Sequence, residues 1–249
     1  MAHPSHPTAA IIDLSERGAD RNGEPQRLDR RLFFQFIAVQ CPQRPGPKAI
    51  AEQLQQQLTG TGLTAVIYAD LHHPLGLGIV ACSEDPERLA NEFRDVFASP
   101  TLNEGVQIRE HYSMLGRSYS TGFESDLEFW ILQRPRRTLL DPTSPYAIWY
   151  PLRRKGPFER LEPREKGAIM QEHGGIGRAY GDQDLAHDIR LACHGLDAND
   201  NDFIVGLIGK DLHPLSHVVQ AMRKTVQTAE YMEKMGPFFV GRVLFRIEA

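Results

Sequence analysis

The chain has little cysteine, no long apolar run and no excess of positive charge. Its three cysteines, Cys41, Cys82 and Cys193, are an odd number and form no Cys-x-x-Cys pair. Neither a disulfide framework nor a cysteine-based zinc site is therefore predicted. No apolar stretch approaches the length of a membrane span. The 28 basic and 32 acidic residues give a net charge of −4, which argues against a nucleic-acid partner.

What remains is the composition of an ordinary globular chain. Its 249 residues are 41% hydrophobic and 24% charged, which suits one large domain or two small ones. The N-terminus lacks the basic-then-apolar pattern of a signal peptide. Together with three thiols that are expected to stay reduced, this predicts a cytoplasmic protein without a membrane span.

The order of strand-like and helix-like patterns divides the chain into four parts. Residues 1–30 are polar and lack periodicity, which predicts a flexible N-terminal arm. Apolar runs predict strands over residues 32–39, 64–68, 75–81, 147–152 and 203–208. Residues 31–115 and 147–249 each contain an apolar strand, then Asp and Pro, then a helix, and residues 116–146 connect them. In the first half Asp85, before Pro86, is the expected N-cap of that helix. This repeated order predicts an α+β fold of two ferredoxin-like halves.

The stretch Arg164–Gly181 carries the most specific signal. Pro163 suits a first helical turn, and the apolar positions that follow lie on one side of the helix together with His173. Gly174 and Gly175 predict the end of that helix, with an imidazole held against an apolar surface. A haem iron needs an axial ligand held in this way, although a lone histidine at a helix end is more often a cap or a satisfied core residue.

The residues around His173 belong to a longer series of motifs. His173-Gly174-Gly175-Ile176-Gly177-Arg178 is followed by Tyr180-Gly181, by Gly195-Leu196-Asp197 and, near the end, by Gly236-Pro237-Phe238-Phe239-Val240-Gly241. Tyr150-Pro151-Leu152 precedes them and is followed by basic residues. In this order the motifs resemble the chlorite dismutase superfamily, and the Tyr-Pro-Leu segment resembles its coproheme decarboxylase branch.

The resemblance implies a fold, a cofactor and roles for particular residues. The fold would be two tandem ferredoxin-like halves that form a dimeric α+β barrel within one chain, assembled as a homopentamer or another homo-oligomer. His173 would be the proximal ligand of haem iron. Tyr150 would be the redox-active tyrosine beside a propionate, with Lys155 as a nearby base. Five further residues would bind the propionates: Arg136, Arg153, Arg154, Tyr119 and Arg223.

These expectations lead to an oxidoreductase that converts Fe-coproporphyrin III (coproheme) to haem b with hydrogen peroxide, in haem biosynthesis. Tyr150 would pass the oxidising equivalent to a propionate, which loses a hydrogen and then CO2 to leave a vinyl group. The rival enzyme is a chlorite dismutase or haem peroxidase. Two further alternatives are a non-catalytic haem or porphyrin carrier and a degenerate relative that binds no haem.

Three positions stay open. Chlorite-splitting relatives carry an arginine thirteen residues after the proximal histidine, where this chain has Ala186, or Asp188 if two extra residues are allowed. The second ring nitrogen of His173 needs an acceptor, but the stretch Ile208-Gly209-Lys210-Asp211 lacks the glutamate that those relatives place there. By residue type alone, Tyr150 could also be an amphipathic plug at the end of a core strand.

Overall fold

A computed structural model describes residues 12–103 and 105–249. The described strands are β1 Glu16–Arg21, β2 Glu24–Leu28, β3 Phe33–Gln40, β4 Thr64–Asp70, β5 Gly76–Ser83, β6 Gln107–Ile108, β7 Met114–Ser118, β8 Tyr146–Arg154, β9 His187–Ala192, β10 Phe203–Gly209, β11 Met232–Met235 and β12 Phe239–Ile247.

The described α-helices are α1 Pro47–Leu58, α2 Pro86–Arg88, α3 Arg94–Ala98, α4 Pro100–Asn103, α5 Arg134–Leu140, α6 Pro163–Asp182, α7 Leu212–Met222 and α8 Val226–Tyr231. Wider π turns, Leu89–Phe93 and Phe129–Gln133, lead into α3 and α5, and short 3-10 helices span Glu110–Tyr112 and Gly156–Arg160. Over the described residues, none of these helices has both the length and the apolar character that crossing a membrane requires.

All strands except β1 and β2 belong to one large antiparallel sheet. Its order is β10-β9-β7-β3-β5-β4-β12-β8-β11, with β6 beside β3, and β10 also pairs with β8. The pairings from β8 through β10, β9, β7, β3, β5, β4 and β12 therefore return to β8, and we call these eight strands the sheet ring. The fold is a mixed α+β fold in which strands from both ends of the chain share one sheet.

Alternation along the strands separates three apolar clusters. Phe36 and Trp149 belong to a cluster that draws on strands all around the sheet ring, so this cluster lies inside it. Ile37, the neighbour of Phe36, packs instead with the buried residues of α1. Tyr150, the neighbour of Trp149, packs with residues of α7. Successive strand residues point to opposite faces, so Tyr150 lies on the outer face of the sheet ring.

The segment predicted as a flexible arm over residues 1–30 contains two strands in its described part, and residues 1–11 lie outside the described part. β1 and β2 form an antiparallel hairpin. Ala19 N donates to Glu124 O at 3.0 Å, and Arg117 donates to the Glu16 carboxylate at 2.8 Å. These partners lie about a hundred residues away in the sequence, so a local polar pattern could not reveal them.

The connection predicted over residues 116–146 contains regular structure. β7 extends to Ser118, and the turns that begin at Phe129 continue into α5. The predicted start of the helix after β5 is confirmed, because the Asp85 carboxylate accepts from Glu87 N at 3.0 Å as an N-cap. The Asp85-Pro86 pattern thus located this cap correctly. The connection was predicted only as the segment between the two halves, so its strand and helix were missed.

Candidate functional site

α6 carries His173, and it is longer than predicted. The helix continues through Gly174 and Gly175 instead of ending there, and neither glycine has a positive φ. Glycine permits a left-handed helix end but does not impose one. Ile176 and Tyr180, which follow the glycines, pack against the outer apolar cluster, and this burial stabilises the continued helix.

Thr225 fixes the tautomer of His173. Nδ1 of His173 lies 3.2 Å from Thr225 Oγ1, and that hydroxyl donates its proton to Met222 O at 2.8 Å. The threonine oxygen therefore accepts from an Nδ1–H, so Nε2 carries the free lone pair. Within the described residues Nε2 has no hydrogen-bond partner. The acceptor that the sequence left open is a neutral hydroxyl, not a carboxylate.

His173 is neutral at neutral pH. Burial, helped by the positive charges of Arg154 and Arg190, lowers the pKa of this imidazole to about 4. Only a neutral imidazole offers a lone pair to a metal. His173 therefore presents an unprotonated ring nitrogen over the whole physiological pH range.

A row of side chains crosses three strands opposite α6. Tyr150 on β8 pairs with Val205 on β10, and Val205 pairs with Arg190 on β9. Directly paired residues project on the same face of a sheet, and this is the outer face that packs with residues of α6 and α7. We call it the helix-covered face. The phenol of Tyr150 and the guanidinium of Arg190 thus belong to the sheet. His173 belongs to the helix that packs over it.

Tyr150 is almost fully buried on this face. Its ring stacks on Phe238 with the centroids 4.6 Å apart. Burial and the negative charge of Asp188 raise the pKa of the phenol, and Arg223 opposes them. Tyr150 therefore keeps its proton, and both Asp188 and Arg223 act on it electrostatically.

Asp188 is held between two arginines. Arg134 Nη2 donates to Asp188 Oδ1 at 2.7 Å, and Arg190 Nε lies 2.7 Å from Oδ2. Burial by itself would raise the pKa of Asp188, but the charges of Arg190 and Arg134 outweigh it and hold the pKa below its usual range. The carboxylate and Arg190 thus both remain charged beside Tyr150.

Beside the helix-covered face is a cleft of about 340 Å³. Arg154 lies in it with its guanidinium 4.5 Å from the Phe158 ring centroid and 4.4 Å from that of Phe203. Burial lowers the pKa of Arg154, and its Nε is buried without a hydrogen-bond partner among the described residues. The lining residues are Glu16, Arg117, Tyr119, Ser120, Arg154, Glu159, Lys166, Ala192, His194 and Phe203.

The structure brings some of the expected residues together and places others elsewhere. Tyr119 and Arg154 share the cleft, and Arg223 acts on Tyr150. Arg153 alternates to the opposite side of β8 from Arg154 and donates to a carbonyl of the loop before β10. Lys155 Nζ donates to a backbone carbonyl at the end of α8, 2.7 Å away.

α5 brings Arg134 to Asp188, whereas Arg136 lies elsewhere. Arg136 is 3.4 Å from Glu84, a residue that follows β5. Residues two apart in a helix do not face the same way, so Arg134 reaches Asp188 while Arg136 points toward Glu84. Alternation along β9 was the signal that could have identified Asp188 and Arg190 as neighbours on one face.

The fold and the site define a class: α+β proteins in which a helix holds a neutral imidazole over a sheet that carries a buried tyrosine. The chain belongs to the chlorite dismutase family, because the family model described as Chlorite dismutase matches residues 79–244. Among curated proteins, none matches the sequence.

Solved structures agree with this fold. TA0507, provisionally described as a chlorite dismutase, is 15% identical, with a TM-score of 0.70 over 87% of this chain and 96% of its own. A heme-binding protein from Thermus thermophilus is 20% identical, with a TM-score of 0.68 over 88% and 92%. A mutant chlorite dismutase from Candidatus Nitrospira defluvii, solved with cyanide, is 16% identical, with a TM-score of 0.66 over 86% and 91%.

Proposed function

We propose that this protein is a haem-binding oxidoreductase that converts Fe-coproporphyrin III to haem b with hydrogen peroxide. The observation that carries the proposal is the neutral imidazole of His173, with a free Nε2, on a helix that packs over the sheet face carrying the buried Tyr150. Family membership supports an enzyme of this kind, and a structural relative is described as a heme-binding protein.

The helix-covered face suits a porphyrin. Nε2 of His173 would hold the iron, and Arg154 and Arg223 would hold carboxylates at the edge. The buried and unpartnered Nε of Arg154 is a donor of the kind that a carboxylate satisfies. The other buried residues of this face, Ile148, Leu152 and Leu207, are apolar, and so are Leu215 and Val218 of α7, which pack on it.

When bound, haem iron would supply the two-electron reduction of peroxide. Each round consumes one propionate, one peroxide and one proton, and releases a vinyl group, CO2 and two waters. Tyr150 would relay oxidising equivalents to a propionate that Arg223 holds beside it. Stacking on Phe238 fixes the phenol ring, and burial keeps water away from it.

The neutral acceptor of His173 favours this reaction over strong peroxidase-like activation of the iron. A carboxylate partner would make the imidazole more electron-rich, whereas Thr225 Oγ1 carries no charge. Lys155, Arg153 and Arg136 remain predicted contributors, although each has a protein partner in the structure.

Mass spectrometry of the porphyrin tests the proposal. After Fe-coproporphyrin III is loaded and peroxide is titrated, we expect stepwise loss of two carboxyl groups. Tyr150→Phe should bind the porphyrin but leave its mass unchanged. Tyr146→Phe, on the same face of β8, is the matched control and should retain turnover. Unchanged mass in the wild type, or full turnover in Tyr150→Phe, would contradict the proposal.

Chlorite breakdown is the second candidate, and Arg190 favours it. The sequence offered no aligned arginine, but the structure places this guanidinium in the same row as Tyr150. A distal cation stabilises an oxyanion, yet Asp188 neutralises Arg190 here. If chlorite is the substrate, wild-type protein will release oxygen and Arg190→Gln will not.

The resemblance also supports two structural proposals. The sheet ring would correspond to the family's barrel of two ferredoxin-like halves, and the chain would assemble as a homopentamer or another homo-oligomer. Sedimentation equilibrium measures the assembly directly, and a monomer at micromolar concentration would contradict it.

A further inference from the structure

A hydrogen-bonded pair of a tyrosine and a histidine lies outside the residues assigned to the proposed haem site. The hydroxyl of Tyr180, near the end of α6, is hydrogen-bonded to Nδ1 of His217 on α7. The two rings are 5.9 Å apart between centroids. His217 is exposed to solvent, so its other nitrogen can exchange protons with water.

Hydrogen bonding to a base changes the redox chemistry of a phenol. Losing an electron makes the phenolic proton strongly acidic, and an imidazole already in contact can take it in the same step. This avoids a high-energy cationic radical, so such a phenol is oxidised more easily. Tyr150 has no hydrogen-bond partner among the described residues and stacks on Phe238, so Tyr180 is the easier of the two to oxidise.

Tyr180 is also well placed relative to His173. It follows His173 by seven residues in α6, so the two side chains lie on one stripe of the helix, two turns apart. The rise along the axis is about 10 Å, a distance over which electrons tunnel rapidly. Tyr180 packs against the same apolar cluster as Tyr150, while its proton acceptor lies at the surface.

We propose that Tyr180 and His217 form a protective electron-donor pair. The proposal rests on haem binding at His173, as proposed above. Reduction of peroxide leaves two oxidising equivalents. When no reactive propionate remains, Tyr180 gives one electron to the first of them: its O–H bond breaks, the proton moves to Nδ1 of His217, and a neutral tyrosyl radical forms. A soluble thiol then returns one electron and releases its own proton to water, while His217 returns its proton to Tyr180. A second such cycle removes the second equivalent, and the two thiyl radicals combine to a disulfide.

The first test needs no haem. Apo protein is mixed with a ruthenium trisbipyridine complex and a sacrificial acceptor, and a flash generates the Ru(III) oxidant. We expect fast tyrosyl radical formation, slowed about tenfold or more in His217→Phe, which corresponds to about 1.4 kcal/mol of activation free energy. Tyr180→Phe should lose the fast phase. His213→Phe is the matched control, since His213 is exposed on the same helix and contacts His217 but not Tyr180.

A solvent isotope effect separates proton transfer from a structural role. The fast phase should slow in D2O in the wild type and in His213→Phe, and this sensitivity should be lost in His217→Phe. Equal fast phases in wild type, Tyr180→Phe and His217→Phe would overturn the proposal, whatever the protein does with haem.

The second test uses protein loaded with haem b and peroxide without coproheme. Freeze-quench electron paramagnetic resonance should show a tyrosyl radical that Tyr180→Phe removes, together with faster bleaching of the Soret band. An easily oxidised Tyr180 in the flash experiment combined with no Soret band would reject haem binding at His173 and, with it, the protective role. A Soret band with identical radical signals and bleaching in both proteins would reject the protective role alone.

Discussion

At His173 one hydrogen bond decides which ring nitrogen is free. Thr225 accepts from Nδ1, so the electron density of the imidazole depends on what stands at position 225. Thr225→Asp places a negative charge there and should lower the reduction potential of bound haem. Thr225→Val removes the acceptor, so it should raise the potential and weaken haem binding by about 10- to 100-fold.

Spectroelectrochemistry measures the reduction potential of bound haem, and Soret titration measures its affinity. Thr225→Ser keeps both the acceptor and the cap that Thr225 provides to α8, so it is the conservative control and should behave like the wild type. If Thr225→Val and Thr225→Asp shifted the reduction potential in the same direction, the hydrogen bond from His173 to residue 225 would not control the electron density of the imidazole.

The depressed pKa of His173 predicts how the stability of the apo protein depends on pH. Burial lowers this pKa to about 4 from an ordinary 6.5, so between these values the unfolded chain binds a proton that the folded chain excludes. His173 therefore makes stability fall as pH decreases from 6.5 to 4, by at most about 1.4 kcal/mol per pH unit. Urea unfolding at pH 7 and pH 5 should show a smaller loss for His173→Gln than for the wild type.

At the scale of elements, α6 allows a direct test of why the sequence-based prediction of its end failed. Gly174 and Gly175 have helical backbone and open space where a Cβ would lie. Gly174→Ala and Gly175→Ala should therefore each stabilise the protein by about 0.5–1 kcal/mol. Gly60, with φ at +84°, is the control, because Gly60→Ala should destabilise.

Chemical denaturation measures the free energy of unfolding of all three variants. Had the helix ended at the paired glycines, alanine there would be forced into a left-handed conformation and would destabilise. A loss of stability in both α6 variants would thus indicate that the helix ends at the paired glycines.

At the scale of the whole molecule, packing inside the sheet ring joins the two ends of the chain. A Cβ on Gly78 of β5 would lie 2.4 Å from the ring of Phe239 of β12, and Phe239 also packs on Phe36 at 4.9 Å between centroids. Gly78→Ala should therefore cost about 1–3 kcal/mol through overpacking. Gly156→Ala, where a Cβ would meet nothing, should change stability little.

Because the sheet ring is continuous, this loss should appear in a single transition seen by all probes. Urea unfolding followed by circular dichroism and by tryptophan fluorescence should give the same midpoint for Gly78→Ala. Separate midpoints would mean that the two halves of the chain unfold independently.

Several elements were predictable because their information is local. The strands β3, β4, β5, β8 and β10 were expected from apolar runs, and Asp85 was expected as a helix cap from its position before Pro86. Motifs near His173 and Tyr150 also indicated the family that the family model shows. Such patterns involve residues close in sequence, so their physical cause can be read without the fold.

Other features depend on which distant segments meet. The acceptor for His173 lies fifty-two residues further along the chain, and Arg134 reaches an aspartate fifty-four residues away. The hairpin of β1 and β2 is ordered by partners in the middle of the chain. The sequence by itself determined the apolar strands, the family motifs and the candidate imidazole. Only the tertiary structure decided its tautomer, its opposing side chains and the true length of α6, because burial and hydrogen bonding outweigh local backbone preference.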